Sequence, residues 1–406
     1  MRRMHFRHLA AFFLALSICA SGGAGKPLVL ADPLQNPGFV HFYNLEFNEA
    51  LAVFEQQLAA NPSDPNAYNH VAQTVLYREM YRDGALESQL VSGSNPFLRR
   101  PKMEISTADR DRFYQTTNQS LRLCEESLRV DAHDVRALYA LSVVHGLRAN
   151  YFFLVEKQWM PALHESIAGR RANEEILKID PNLADAHLLS GISHYIVAGL
   201  PFYLRVLGSV NGFHGDRDGG IRELQLVART GTLNRYDAEV VLAAIYRRER
   251  MPAQALPLLV NLSDTFSRNA LFRLEQVQMY SDMGNKQEAL RVLNKIDELR
   301  SSGAPGYATL SVEKIQYFRA NLLFWYGDLD PALAGLKQVT QKAGELDLST
   351  AVMAWLRLGQ VYDLKGQRED AIEAYRQTMR TAPASEPALE AKGYISNPYR
   401  RKRSSG

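Results

Sequence analysis

His187 and His194 come closest, by type and spacing, to residues that could do chemistry. They stand seven apart, two turns along one helical stretch, with Asp185 and Asp216 as acids that could join them. A two-histidine metal site on a helix wants its ligands at i and i+3 or i+4, because only those stack on one face, and no His-Glu-x-x-His run occurs. His164-Glu165 has no partner at such a spacing. Gly212-x-x-Gly215 follows a helical stretch rather than a strand, the wrong context for a phosphate loop, and neither Gly-x-Ser-x-Gly nor a Walker sequence is present. The histidines read as packing or capping groups. The chain reads as non-enzymatic, with no catalytic residue, metal or cofactor expected.

What the chain does carry is a scaffold pattern. Trp355, Leu358 and Tyr362 fall at i, i+3 and i+7 on one helical face; Gly359 and Ala371 are small where two helices would cross; Tyr375 follows, and Pro383 stands where the second helix must stop. Leu242, Ala243, Tyr246, Ala255 and Leu259 repeat the spacing. So do Tyr280, Gly284, Ala289 and Leu293, and then Ala320, Leu323, Gly327, Ala332 and Leu336. Tyr246 and Tyr280 are 34 residues apart, as are Ala255 and Ala289. This pattern resembles the tetratricopeptide repeat (TPR), a 34-residue helix–turn–helix unit. The resemblance implies an all-α fold, a TPR-type α-solenoid of antiparallel helix pairs, clearest at 236–269, 270–303, 313–346 and 352–385. Asp330-Pro331 predicts a helix start with Asp330 as cap, and the stretch 301–306 a loop. Pro257 is discordant inside a second helix, predicting a later start or a kink.

The first half is less regular. Residues 49–58 read as a second helix, 66–81 as the next first helix, 92–107 as a loop and 115–130 as a helix with Leu121, Cys124 and Leu128 inward. A long apolar helix spans 135–157 and is broken by Trp159-Met160-Pro161. Strand signals are almost absent. With 406 residues and 46% apolar content the chain can build a continuous core, and in a repeat stack length does not count domains.

Between Gly199 and Gly220 an insert interrupts one repeat. It reads as a short apolar helix near 200–213, started by Pro201, with Phe202, Leu204, Leu207 and Phe213, followed by a glycine-rich turn in which Asp216 or Asp218 caps the next helix. The Leu-Pro pair, the apolar helix and Gly-Phe-x-Gly-Asp-Arg are similar to an insert in a eukaryotic TPR family of mitochondrial outer membranes and lipid droplets. That likeness implies only a structural role here.

In such repeats the first helix of each pair faces a groove. Spacing puts Tyr139, Tyr195, Arg247, Gln278, Tyr317, Asn321, Trp325 and Gln360 toward it, with Tyr139 and Tyr195 the ones most open to burial between helices. Rings supply contact area and amides pair with peptide backbone, so the expected partner is a protein or peptide. The Lys/Asn/Arg set that clamps a C-terminal carboxylate is missing at these positions.

Arg2, Arg3 and Arg7 precede an apolar run over 9–20 and then small residues, the order of a signal peptide over 1–24. The expectation is an exported, periplasmic bacterial protein. A lipoprotein anchored through Cys19 is the alternative, since Leu16-Ser17-Ile18-Cys19 resembles a lipobox apart from Ile18. No later stretch is long and apolar enough to span a bilayer without charge. The formal charge is +3 and the signal holds three arginines and no acid, so the remainder is near neutral, which argues against nucleic acid. Residues 25–395 read as the solenoid and 396–406 as a basic, disordered tail that could touch anionic membrane peripherally. The function expected is a scaffold for a protein or peptide partner in the cell envelope. The alternative is a solute-binding or transport-accessory protein holding a small apolar ligand at the insert.

Overall fold

The structure is a computed structural model that describes residues 31–86, 103–199, 215–383 and 385–401. The expected signal and the insert residues Phe202, Leu204, Leu207 and Phe213 lie outside the described residues. Seventeen α-helices and no strand occur among those described, in line with the all-α reading. The chain divides into two units, residues 1–81 with 102–245, and 82–101 with 246–406.

The first unit contains α1 (Pro37–Tyr43), α2 (Phe47–Ala60), α3 (Pro65–Arg82), α4 (Thr107–Val130), α5 (Val135–Asn150), α6 (Trp159–Ile179), α7 (His187–Ala198), α8 (Arg217–Thr230) and most of α9 (Arg235–Arg248). α1 packs on α2, and from α4 to α8 each helix packs on the next. Some starts are set by side-chain caps: Asn36 accepts from the Gly38 N–H with Pro37 as first helical residue, and Asp134 accepts from Arg136 and Ala137. Asp216 takes the cap of α8, accepting from Gly219 at 2.8 Å. α4 begins eight residues before the predicted start. Ser106 caps it, and the polar run after Thr107 hides the inward Phe113 from any apolar count. The apolar helix is long enough to cross a membrane over Val135–Glu156, but 72% of that window is buried in the protein, as suits a core helix. Its end, Tyr151–Glu156, is wound as a π-helix, and the break comes at left-handed Lys157 (φ 57°), before the predicted Trp159. Trp159 instead opens α6. α7 and α8 cross at a pair of glycines. A Cβ on Gly220 would lie 2.5 Å from the Gly191 carbonyl, so both positions exclude any larger residue.

The second unit continues with α10 (Pro252–Thr265), α11 (Ala270–Asp282), α12 (Lys286–Ser301), α13 (Val312–Tyr326), α14 (Leu329–Gln341), α15 (Leu348–Leu364), α16 (Arg368–Thr381) and α17 (Glu386–Ser396). α10 starts at Pro252 and runs through Pro257. Pro257 and Ala253 are both exposed, so the carbonyl that loses its donor faces solvent and the cost falls below that of a buried break. α14 starts before Asp330: Asp328 holds the cap position, its carboxylate bound to Lys286. Gly359 lets α15 and α16 close, since a Cβ there would meet the Tyr375 ring at 2.5 Å. One continuous apolar core joins α11 to α17. The predicted disordered tail departs from expectation as far as Arg401, because Tyr399 and Arg401 make defined contacts with this unit.

Candidate recognition face

The histidines do not gather. His194 Nδ1 lies 3.1 Å from Glu223, which raises its pKa, while Asp185 bonds elsewhere. Glu165 is shared by His145 and Arg148, each at 2.6 Å. No group of three or more His, Cys, Asp or Glu placed to hold a metal occurs among the described residues. Cys124 is buried, and burial pushes its thiol up to about 12.

The first unit has a polar interior that spacing did not reveal. The Asp185 carboxylate accepts the N–H groups of Asn234 at 2.7 Å and Thr232 at 3.1 Å, just before α9. Asn234 returns its amide N–H to the Asp185 carbonyl at 2.9 Å and takes the Tyr139 hydroxyl at 2.8 Å. One turn on, Asp237 accepts from Tyr43 at 3.1 Å and is fully buried. Burial raises both carboxyls, Asp237 well above its usual range, where the nearby Asp185 charge adds to the loss of water. The network ties α1, α5 and the start of α7 to α9.

The second unit gathers the opposite charge. Arg357, on α15, is buried. Its guanidinium donates to the side-chain amide oxygens of Asn321 at 2.8 Å and Gln360 at 2.5 Å, and lies over the rings of Phe324 (4.5 Å) and Trp325 (4.6 Å). No carboxylate is within salt-bridge distance of it among the described residues. Burial lowers its pKa, yet a guanidinium stays charged in any protein setting. Glu390 feels this charge at longer range, but its own burial dominates and raises it. Because guanidinium only donates, both amide oxygens must face it, which turns their NH2 groups away as donors. Trp325 closes the cluster and is 49% exposed.

Of the residues expected in a groove, Asn321, Trp325 and Gln360 meet around Arg357, and Tyr317 lies buried near them. Arg247 pairs with Glu275 at 2.5 Å and Gln278 with Asp282 at 2.6 Å, in a separate charged cluster of the same unit. Tyr195 and Tyr139 are buried in the first unit. Arg357 was missed because an arginine among Trp355, Leu358 and Gly359 reads as an outward charge. The signal that could have found it is its position, one helical turn before Gln360.

The tetratricopeptide-repeat profile matches residues 354–387, the α15–α16 pair. No curated protein matches the chain. Among solved structures it is similar to yeast Tom70, at 13% identity and TM-score 0.40 over 90% of this chain and 88% of that one. It is also similar to the human IFIT1 dimer with m7Gppp-AAAA, at 13% identity and TM-score 0.44, covering 89% and 83%. The Cut9–Hcn1 hetero-tetramer of the APC/C gives 13% identity and TM-score 0.23, covering 91% and 94%. The described chain is all-α, and its residues 354–387 match the tetratricopeptide repeat.

Proposed function

We propose that this scaffold holds a protein or peptide partner in the cell envelope, on the face formed by Trp325, Asn321, Arg357 and Gln360. One observation carries the reading: a half-exposed tryptophan lies directly over a buried guanidinium whose hydrogen bonds, among the described residues, go to amide oxygens alone. A large ring at the surface is a typical anchor, and the fixed cation beneath it favours acceptor groups such as peptide carbonyls. Export is supported by the order of Arg2, Arg3 and Arg7 before the apolar run over 9–20. The test is a photo-crosslinking residue at position 325, compared with one at the exposed Val260. Partner adducts specific to position 325 are expected. Identical adducts at both positions, or none at 325, would sink the reading. Recovery of the chain in the cytoplasm with residues 1–24 intact would remove the envelope from it.

A further inference from the structure

We propose that residues 397–401 are a built-in occupant of the surface at Phe324 and Asp363 that adjoins this face, and that the partner recognised there is a peptide with an aromatic residue followed two positions later by arginine. The inference rests on the recognition reading above. After α17 ends at Ser396, the chain leaves the helix with extended backbone at Asn397. Tyr399 donates its N–H to Asp363 Oδ2 at 2.7 Å. Its ring lies 6.0 Å from Phe324 and 5.4 Å from Tyr394. The Arg401 guanidinium sits 5.3 Å over the same Phe324 ring and donates to the Phe324 carbonyl, in the last turn of α13. A cation is favoured there, at the negative end of the helix dipole. Tyr399 and Arg401, two residues apart, thus both reach Phe324.

Phe324 is therefore common ground. Its ring carries Arg357 and Trp325 from the candidate face as well as Tyr399 and Arg401 from the segment. Asp363 is a prepared acceptor. Arg368 at 2.7 Å and the Tyr375 hydroxyl at 2.7 Å fix its carboxylate, leaving the edge that takes the Tyr399 N–H. Beyond Asn397, that bond is the only one made by the segment's backbone among the described residues. The segment is thus held as a bound peptide is held, by one main-chain bond and two side-chain anchors, rather than by a ladder of its own.

The test uses a fluorescent peptide of residues 396–406 added to the full-length chain and to the full-length Tyr399→Ala/Arg401→Ala variant, with thermal melts of both. The variant is expected to bind the peptide about tenfold more tightly, the factor for a site left open roughly one-tenth of the time. A peptide carrying the same two alanines, which leaves the protein untouched, is expected not to bind either chain. Equal affinity for both chains, no binding to the variant, or undiminished binding of the alanine peptide would each overturn the proposal. The crosslink at position 325 separates the two ideas. A partner captured equally by wild type and variant leaves the recognition reading standing and removes the built-in occupant. No capture by either removes the reading itself.

Discussion

The buried carboxyls Asp185 and Asp237 of the first unit and the buried Arg357 of the second are managed in opposite ways. In the first, Asp185 and Asp237 lie inside, close to the start of α9, with hydroxyl and N–H donors around them. A carboxyl can also shed its charge by keeping its proton, and burial pushes both in that direction. In the second, Arg357 cannot shed its charge, so it is held by amide oxygens and ring faces. The carboxyls are enclosed by their own unit, whereas the guanidinium is covered on one side by a half-exposed ring. Burial that favours the uncharged form goes here with a group tying helices together, whereas Arg357 stays charged beneath a surface ring.

The comparison is broken most severely at Asn234. Asn234→Ala leaves the Tyr139 hydroxyl and the Asp185 carbonyl without their partner and should cost about 3 kcal/mol. Hydrogen exchange should quicken over 135–150 and 187–198 while protection over 348–364 holds; a uniform response would count against a local clamp. Gly359→Leu is the matching insult to the other unit. Driving a side chain into the Tyr375 ring should cost about 2 kcal/mol, with exchange quickening over 348–381. Asp237→Asn sharpens the contrast through its sign. The folded acid holds its proton above the unfolded value of about 4, so wild-type stability falls as pH rises beyond that value. The variant keeps an acceptor for Tyr43 and should gain on the order of 1 kcal/mol at pH 7, with a flatter pH profile. Urea midpoints at pH 4 and 7 decide it; an unchanged slope would show Asp237 to be ionised in the fold. Arg357→Met should move stability least, by about 1 kcal/mol or less, because lost bonds are offset by relief from burying a charge. A large loss would make Arg357 a structural group like Asn234.

The helices were legible because each repeat buries a face at regular spacing. Trp355, Leu358, Gly359 and Tyr362 announce α15 and its crossing with α16, and this is the stretch the repeat profile matches. Helix starts were less legible where two acids compete. Asp328 and Asp330 both suit a cap, and the engagement of Asp328 by Lys286, 42 residues away, is not written in local sequence. The polar sites were legible only in part. Spacing brought out Asn321, Trp325 and Gln360, but Arg357 joins them because an arginine is buried against its usual tendency. Asp185 and Asn234 stand 49 residues apart, with no periodic mark in the sequence that the two should meet. Tyr399 and Arg401 looked like frayed charge, since their partners Asp363 and Phe324 come from earlier helices.

The π-wound end of α5 gives the first unit a spare link. A turn at Tyr151–Glu156 spends one residue more than an α-turn needs, so the stretch can be shortened by one and rewound as ordinary helix. The same deletion in the middle of α5 would swing every later side chain of that helix by about 100° and carry its buried face out of the core. Length variation is thus cheapest at a point the apolar pattern shows as uninterrupted. Deleting Phe153, which is only partly buried, should leave a folded protein, whereas deleting Val144, fully buried, should not; recovery of soluble protein with a cooperative melt distinguishes them.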